Sequence, residues 1–327
     1  MKNIRWAIAG PGCIAHKFAE AIKNVECAEL AGVASRTGNN TEEFARLYGI
    51  DRVFSSYEEM AECKDIDAIY VSTAHPFHKS CSEIFLNCGK HVLCEKPLCV
   101  NAGQAEILKR CAEKNNVFLM EAMWTRFIPA TLEVLNLVHS GVIGDVLEVK
   151  ADFCYRSSPE EEAKLFLNEL AGGSLLDVGV YGLHYASLFF GNNPEEISAV
   201  SVIRENVDTR TNVILKYDGG RVASISSAIE LYKPESAYIY GEKGYIHIPE
   251  FYGAKEFCIH TDGKTEHVSR PYKGNGFEEE IYEACQCIMS GKTQSDTLPL
   301  AESIAVLKQM DTIRKQIGIK YPLEGEN

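Results

Sequence analysis

Two patterns of apolar residues divide the chain. Over roughly the first 120 residues, short apolar runs alternate with amphipathic stretches of helical periodicity. The runs are IRWAIAG, ELAGVAS, AIYVST, HVLCEKP and VFLMEA. This alternation is typical of βαβ units, so it predicts an α/β domain in which helices flank a doubly wound parallel sheet.

Polar residues between the runs predict where helices begin and end. Asn40 with Glu43, and Ser56 with Glu59, have the spacing of an N-cap residue and a reciprocating glutamate. Gly89 has the position of a glycine that follows a helix C-terminus. We therefore expect a helix beside each apolar run.

From about residue 145 the pattern changes to longer segments in which apolar and polar residues alternate. Several of these segments are joined by DG, GG or EKG, which are typical of hairpin turns. They predict a second, α+β domain with a large, mostly antiparallel sheet, and a closing helix over about residues 300–317. We place the domains at residues 1–122 and 123–327, with no flexible linker between them.

Length and charge exclude several classes of protein. A chain of 327 residues exceeds what one hydrophobic core normally organises. Its 46 acidic and 33 basic residues give a net charge of −13, which repels phosphate backbones and anionic lipids. We find neither a signal-peptide pattern nor an apolar run near the roughly 20 residues of a membrane span. The twelve cysteines are scattered like buried small hydrophobic residues. We expect a cytoplasmic protein without nucleic-acid or membrane partners.

The stretch GPGCIA follows the first predicted strand and opens a predicted helix. In a dinucleotide-binding fold, Gly10 would make the tight turn and Gly12 would let a pyrophosphate approach the backbone. Amides at the helix N-terminus, including those of Cys13 and Ile14, would then hold the phosphates. A tight turn without a ligand is the alternative, which the surrounding βαβ pattern disfavours.

The end of the second predicted strand bears on which dinucleotide binds. NAD-binding proteins typically place an acidic residue there, but this chain has Ser35 followed by Arg36. A guanidinium suits the 2′-phosphate of NADP, so the sequence favours NADP, with NAD possible. The alternative is that Arg36 only caps a loop.

Two histidines follow the next strand, in STAHPFHK. Because ligands of such sheets bind beyond the carboxyl ends of the strands, Thr73 and His75 are expected near the cofactor or substrate. Capping of a helix is the alternative, especially for His78. A metal site is disfavoured because the chain has neither a CxxC pair nor an HExxH motif.

The apolar run HVLCEKP ends in Glu95, Lys96 and Pro97. A lysine at the carboxyl end of a buried strand is costly unless its charge is compensated, so this position favours a site. There Lys96 could hydrogen-bond a substrate oxygen. An ion pair with Glu95 at the edge of the sheet is the alternative.

A second cluster lies in AGGSLLDVGVYGLHYASLFFG, residues 171–191. Asp177, Tyr181 and His184 have the spacing i, i+4 and i+7, which places them on one face of an α-helix. A buried stripe of tyrosine and apolar residues would give the same pattern.

Taken in order, GPGCIA, ASRT, CEKPL and GGSLLDVGVY resemble the glucose–fructose oxidoreductase and inositol dehydrogenase family, also called Gfo/Idh/MocA. The stretch LMEAMWTRFIPA resembles the branch with dimeric trans-dihydrodiol dehydrogenases and NADP-linked D-xylose dehydrogenases. The resemblance covers nearly the whole chain. It implies a Rossmann domain, a second domain with an open-faced sheet, and a homodimer formed through that sheet.

The same resemblance implies roles for individual residues. Lys96 would be the catalytic lysine of the EKP motif, and Asp177 the aspartate of the GGxxxD stretch. Tyr181 stands where inositol dehydrogenases have a histidine, which shifts the expected base from an imidazole to a phenol. Ala74 replaces a proline of many relatives and puts little in doubt.

Other residues are expected to line the two binding sites. Trp124, Arg126 and Phe153 resemble pocket residues of the branch, with packing at a domain interface as the alternative. The expected cofactor-binding residues are Gly10, Gly12, Cys13, Ile14, Ser35, Arg36, Thr73, His75, His78, Glu95, Lys96 and Trp124. The expected substrate-binding residues are Trp124, Arg126, Phe153, Asp177, Tyr181 and His184.

The sequence thus predicts an NADP(H)-dependent dehydrogenase that acts on a secondary or anomeric alcohol carbon of a small sugar, polyol or trans-diol. In this hypothesis Lys96, oriented by Asp177, lowers the proton affinity of Tyr181. A nucleotide sensor without turnover is one alternative. An aldose–aldose oxidoreductase with tightly held NADP is another, disfavoured because such proteins usually carry an N-terminal arm ahead of the first strand.

Overall fold

The computed structural model describes residues 3–36, 38 and 40–325. The chain divides into two compact units, of which the first comprises residues 1–99, 103–124 and 273–303. The second comprises residues 100–102, 125–272 and 304–327. The domain limits 1–122 and 123–327 stay a prediction. The compact units differ from them chiefly because residues 273–303 pack in the first unit, where the Trp6 indole donates to Cys285 Sγ at 3.4 Å.

The first unit contains a six-stranded parallel sheet in the order β3-β2-β1-β4-β5-β6. The doubly wound sheet expected from the sequence is thereby confirmed. Strand β3 has only three residues at the sheet edge and was not predicted, because so short a run carries no periodic pattern. The strands are β1 (Ile4–Ala9), β2 (Ala28–Ala34), β3 (Arg52–Phe54), β4 (Ala68–Val71), β5 (His91–Glu95) and β6 (Leu119–Ala122).

Helices of the first unit pack on this sheet through aromatic and apolar side chains. Phe18 stacks on Tyr70 with ring centroids 3.9 Å apart and meets Trp6 edge-on. All three side chains are fully buried and form the centre of the core. The helices are α1 (Cys13–Ala21), α2 (Thr41–Tyr48), α3 (Tyr57–Glu62), α4 (His78–Asn87), α5 (Ala102–Asn115) and α9 (Phe277–Met289).

The predicted helix ends are partly correct. The Ser56 hydroxyl accepts a hydrogen bond from the Glu59 amide at 3.1 Å, which confirms this N-cap. Gly89 follows α4 with φ +76°, as expected of a C-terminal glycine. The Asn40 side chain makes no capping hydrogen bond, because the residue itself adopts the left-handed region with φ 59°.

The second unit contains an eight-stranded sheet in the order β14-β13-β12-β11-β7-β10-β9-β8. All neighbouring pairs are antiparallel except β7 and β10, so the mostly antiparallel sheet is confirmed. The strands are β7 (Val146–Cys154), β8 (Glu196–Arg204), β9 (Val207–Lys216), β10 (Val222–Ala228), β11 (Ser236–Gly241), β12 (Gly244–Pro249), β13 (Glu256–Thr261) and β14 (Lys264–Ser269).

One face of this sheet carries a helix. There a Cβ at Gly182 would lie 2.6 Å from Ile225 Cγ2, so the helix approaches the strands closely. On the opposite face, Val200 and Ile214 are exposed. The helices are α6 (Pro129–His139), α7 (Pro159–Leu165), α8 (Val180–Phe190) and α10 (Leu300–Ile317), the last assigned to this unit from Ile304 onward. Neither α10 nor any other helix in the described ranges is long and apolar enough to cross a membrane.

Candidate active site

The first glycine of GPGCIA makes a tight turn directly after β1. Gly10 has φ +94°, a backbone conformation that side-chain-bearing residues rarely adopt. A Cβ at this position would lie 3.2 Å from the Ser72 carbonyl oxygen. The turn is held because the Gly10 amide donates to Ala34 and its carbonyl accepts from the Ser72 hydroxyl, both at 2.9 Å.

The second glycine borders open space at the N-terminus of α1. A Cβ at Gly12 would meet no described atom within 4 Å, and Cys13 beside it is exposed. Ala15 is fully buried, which lets α1 pack closely on the sheet. Backbone amides at a helix N-terminus favour phosphate groups. These residues therefore fit a dinucleotide.

Arg36 lies two residues beyond the end of β2. Its guanidinium carbon is 4.7 Å from the centroid of the Phe77 ring, while its side chain is exposed. Stacking on a ring holds the planar guanidinium in one orientation and leaves its N–H groups free to point outward. Ser35 precedes it and is half-buried.

The two histidines after β4 have different surroundings. His75 is half-buried, with its ring centroid 5.7 Å from that of His78. The His78 ring is fully buried, with Nδ1 2.8 Å from the Pro97 carbonyl oxygen and Nε2 3.0 Å from that of Thr73. Burial lowers the pKa of His78, although both carbonyls counteract this effect. His78 therefore ties the loop after β4 to the loop after β5.

Buried carboxylates hold the loop that carries Lys96. The Tyr70 hydroxyl donates to Glu95, which also accepts the Lys96 amide at 3.2 Å. Glu121 accepts the Leu98 amide at 2.9 Å. Burial raises the pKa of Glu95, and the positive charge of Lys96 opposes this shift. The lysine thus lies at the carboxyl end of β5 beside a compensating acid, and its side chain is half-buried.

Trp124 and Arg126 occupy one short 3₁₀ turn after β6. The Trp124 ring lies 5.3 Å from that of Phe277 and is 7% exposed. Arg126 is buried and donates to the Ser187 hydroxyl at 3.2 Å. Both side chains pack within their own units in addition to any role in binding.

The second unit brings three aromatic rings together. Phe153 of β7 stacks on Tyr252 with centroids 4.1 Å apart, and the Tyr181 ring lies 5.3 Å from Phe153. Tyr181 and Tyr252 meet edge-on at 6.1 Å. Flat aromatic surfaces with hydroxyl groups at their edges are typical of pockets that bind small polar molecules. We call these three residues the aromatic wall.

Asp177 lies beside this wall and has a tyrosine partner. The Tyr155 hydroxyl donates to Asp177 Oδ2 at 2.9 Å. Burial raises the pKa of Tyr155, and the negative charge of Asp177 raises it further. Tyr155 directly follows β7, and its ring centroid lies 6.4 Å from that of Phe153. Asp177 and Tyr181 therefore contact two neighbouring aromatic side chains, Tyr155 and Phe153.

The prediction that Asp177, Tyr181 and His184 lie on one α-helix is wrong for Asp177 and confirmed for the other two. Residues Leu175–Gly179 form a π-helical segment, and α8 begins only at Val180. A π-helix has more residues per turn than an α-helix, so the angle between Asp177 and His184 around the helix axis differs from the one that the spacing i, i+7 predicts. Asp177 contacts Tyr155 and Tyr181 joins the aromatic wall, whereas the His184 side chain is 1% exposed.

Three residues of this region were not predicted from the sequence. Tyr155 could have been found, because it lies two residues after Phe153, at the end of an alternating segment. Tyr252 lies in a short 3₁₀ turn between two strands, which has no periodic pattern. Asp208 is a buried aspartate within β9 that contacts the GGSLLDVG segment, and no local motif marks it.

A glycine turn, an open helix N-terminus and a lysine at the end of β5 together define a nucleotide-binding oxidoreductase fold. Sequence comparison with family models agrees. Residues 4–123 match the oxidoreductase family with an NAD-binding Rossmann fold, and residues 131–247 match the GFO/IDH/MocA C-terminal domain. The chain belongs to the Gfo/Idh/MocA family, so the predicted family and the predicted dehydrogenase class are confirmed.

Relatives match over nearly their full length. The chain is 35% identical over 331 residues to trans-1,2-dihydrobenzene-1,2-diol dehydrogenase of Xenopus laevis, covering 97% of this chain and 99% of the relative. It is 34% identical over 330 residues to scyllo-inositol 2-dehydrogenase (NADP(+)) IolU of Bacillus subtilis, covering 98% and 99%.

Solved structures agree with the fold. The 3-ketoreductase KijD10 of Actinomadura kijaniata, solved with NADP and TDP-benzene, matches with a TM-score of 0.87 and 25% identity over 97% of this chain and 98% of KijD10. The aldose–aldose oxidoreductase of Caulobacter crescentus matches with a TM-score of 0.88 and 23% identity, over 96% of this chain and 97% of that one. The second likeness concerns the fold alone.

Proposed function

We propose that this protein is an NADP(H)-dependent dehydrogenase that oxidises one hydroxyl of a six-membered ring with neighbouring trans hydroxyls, or reduces the matching ketone. The relatives named above act on trans-1,2-dihydrobenzene-1,2-diol and on scyllo-inositol. Both compounds are six-membered carbon rings with adjacent hydroxyl-bearing carbons. We therefore propose a substrate class that includes both compounds, and we do not choose between them.

The observation that supports this proposal best is the aromatic wall with Asp177 beside it. The stacked faces of Phe153 and Tyr252 offer apolar surface to the C–H groups of a ring. Asp177 and the Tyr181 hydroxyl offer an acceptor and a donor for neighbouring hydroxyls. A few polar groups on an otherwise apolar wall are what orients a small polar ligand.

We assign the proton transfer to the protein. Bound NADP would supply the carbon that exchanges hydride with the substrate. Tyr181 takes the proton of the reacting hydroxyl during oxidation, Lys96 holds the substrate oxygen and favours its anionic form, and Asp177 holds a neighbouring hydroxyl. A free phenol has a pKa of about 10, so it becomes an effective base near neutrality only where a positive charge favours the phenolate.

We assign the nucleotide to the loops of the first unit. The turn at Gly10 and the open space at Gly12 suit a pyrophosphate. Arg36, oriented by Phe77, would bind the 2′-phosphate and make NADP the preferred nucleotide. NADP appears in the names of IolU and of the KijD10 complex.

A substrate panel tests this function. Nicotinamide absorbance at about 340 nm is followed with NADP and with NAD. The panel contains scyllo-inositol, trans-cyclohexane-1,2-diol, D-xylose and D-glucose, with cis-cyclohexane-1,2-diol as the stereochemical control. We expect turnover of the trans ring compounds, slower turnover of the cis diol, and preference for NADP. Tight NADP binding without turnover of any compound would instead favour a nucleotide sensor.

We further propose a homodimer formed through the open face of the eight-stranded sheet. Val200 is 75% exposed there, and Ile214 is also exposed. Tyr238 stacks on His247, and Tyr245 on His260, in a continuous aromatic patch on the same sheet. Large exposed apolar surfaces usually bind a partner. Sedimentation at micromolar concentration should show a dimer that Val200→Glu weakens, whereas a monomeric wild type would disprove it.

A further inference from the structure

A fully buried aspartate of β9 contacts the segment that carries Asp177. The Oδ2 atom of Asp208 accepts three hydrogen bonds, from Leu175 N at 2.7 Å and from the hydroxyls of Ser174 and Thr211 at 2.8 Å each. All three donors are neutral. A carboxylate held by several donors in a buried place is costly to ionise and strongly oriented.

Two of these donors belong to the beginning of the π-helical segment. Ser174 immediately precedes Leu175, the first residue of that segment, and Thr211 belongs to β9 itself. The carboxylate therefore connects the start of the segment to the sheet. Ser174 also contacts the Ser227 hydroxyl at 3.1 Å, which adds a second connection, to β10.

Of the two glycines before Ser174, the second lies close to the same carboxylate. Gly173 has φ +111°, and a Cβ there would lie only 2.3 Å from Asp208 Oδ1. Any side chain at this position would displace the aspartate. The second glycine of GGSLLDVG thus permits the close approach of Asp208, whereas a Cβ at the first, Gly172, would lie 2.2 Å from the Leu165 carbonyl oxygen.

The anchored start of the π-helical segment also fixes the position of Asp177. The Asp177 amide donates to the Gly173 carbonyl at 3.3 Å, one turn after the anchored start. A π-helical turn is intrinsically less favourable than an α-helical one and needs outside contacts to persist. If its start were released, the segment could rewind as an α-helix, and the side chain of Asp177 would turn away from Tyr155.

We propose that Asp208 is a positioning residue, whose carboxylate holds the start of the π-helical segment 175–179 and thereby keeps Asp177 beside Tyr155. The catalytic consequence rests on the proposed function. The structural consequence, a fixed conformation of residues 173–179, does not depend on the proposed function.

The charge of Asp208 gives this role a pH dependence. Burial raises its pKa to about 6, although the hydrogen bonds from Ser174, Thr211 and Leu175 oppose the shift. Two other ionisable side chains lie near it. Tyr321 donates to the Gly172 carbonyl at 3.2 Å, and Arg314 lies 4.9 Å from the Tyr321 ring centroid. Burial raises the pKa of Tyr321 well above its usual value, so this phenol stays neutral near pH 6.

The test compares Asp208→Asn, Thr211→Val and a control, Asp218→Asn. Asp218 is exposed and lies in the turn after β9, so its substitution should change nothing. We expect Asp208→Asn to lower kcat about tenfold or more with nearly unchanged NADP affinity, and to abolish the acidic limb of the kcat profile. Thr211→Val keeps the bonds of Asp208 to Ser174 and Leu175 but removes one donor to the ionised carboxylate. The pKa of Asp208 should therefore rise, and the acidic limb of the kcat profile should move up by about one pH unit.

Amide hydrogen exchange separates this proposal from the proposed function. We expect residues 173–179 to exchange about tenfold faster in Asp208→Asn than in the wild type. If no substrate is turned over but this protection is lost, the proposed function fails while the positioning role stands. Unchanged exchange in Asp208→Asn, or an unchanged kcat profile in both variants, would overturn the positioning role.

Discussion

The candidate groups of the first unit lie on loops at one edge of a parallel sheet, whereas those of the second unit lie on a strand, a π-helical segment and a turn. In the first unit the proposed nucleotide contacts are mainly backbone groups, at Gly10 and at the N-terminus of α1. In the second unit the proposed substrate contacts are side chains that also contact one another, such as Tyr155 and Asp177. Backbone sites tolerate many side-chain changes, but side-chain networks respond sharply to the loss of one atom.

The largest expected effect tests the roles that we propose for Lys96 and Tyr181. Lys96→Met and Tyr181→Phe should each lower kcat about 10²-fold or more and leave NADP affinity nearly unchanged, because both remove groups needed for proton management. The double variant should be little worse than either single one. Lys109→Met and Tyr245→Phe, outside the candidate site, are the matched controls. Near-normal turnover by Tyr181→Phe would reject the tyrosine as base.

A second effect concerns the stability of the second unit. The pKa of Asp208 is about 6 in the folded protein against 3.8 as its ordinary value. Because this folded pKa is raised, the folded state binds more protons between these values, so this group's contribution to stability falls as the pH rises from about 4 to about 6. A shift of about two units corresponds to about 3 kcal/mol.

Asp208→Asn removes this contribution. Its free energy of unfolding, relative to the wild type, should therefore increase as the pH rises through that window, as measured by urea unfolding at about pH 4 and about pH 7. The same difference for Asp218→Asn should stay constant. A difference for Asp208→Asn that does not change with pH would show that the pKa of Asp208 is the same in the folded and unfolded states, and would remove the cost that we assign to its burial.

A smaller effect tests the cofactor preference of the first unit. Arg36→Ala should reduce the preference for NADP over NAD by about tenfold to a hundredfold, since a charged hydrogen bond is worth about 1.5–3 kcal/mol. Isothermal titration with both nucleotides measures it. Arg52→Ala is the control, because Arg52 lies on β3 and pairs with Asp65. Equal affinity of the wild type for NAD and NADP would refute the assignment.

The smallest expected effect tests the hydrogen bond between Tyr155 and Asp177 in the second unit. Tyr155→Phe deletes the donor to Asp177 but preserves the ring, so kcat should fall about fivefold, corresponding to about 1 kcal/mol. Tyr238→Phe, on the open face of the sheet, serves as control. A loss as large as that of Tyr181→Phe would mean that Tyr155 itself carries the proton.

Prediction from the sequence agreed with the structure where the position of a residue follows from short local patterns. The glycines after β1, the arginine after β2 and the lysine after β5 lie within a few residues of a strand end. Parallel strands bring these ends to one edge of the sheet, so their spacing along the chain is enough to group them. Ser56 and Gly89 were recognised for the same reason, because caps depend on neighbours three or four residues away.

Prediction was less complete where residues far apart in sequence meet. Tyr252 joins Phe153 and Tyr181 across about 100 and about 70 residues, and Asp208 reaches back to Ser174 and Leu175 from the next strand but one. The π-helical segment was missed because helix type depends on contacts at its ends rather than on apolar periodicity. Those contacts are invisible in a helical pattern.

The sequence by itself determined the two kinds of sheet, the glycine turn for a nucleotide, the lysine at the end of β5 and the family, since each depends on local periodicity or on a compact motif. Only the tertiary structure decided that Asp177 bonds Tyr155, that His184 is buried, and that Asp208 holds the start of the π-helical segment. The physical reason is that a side chain's partner and its exposure are set by packing among distant segments, which no local pattern records.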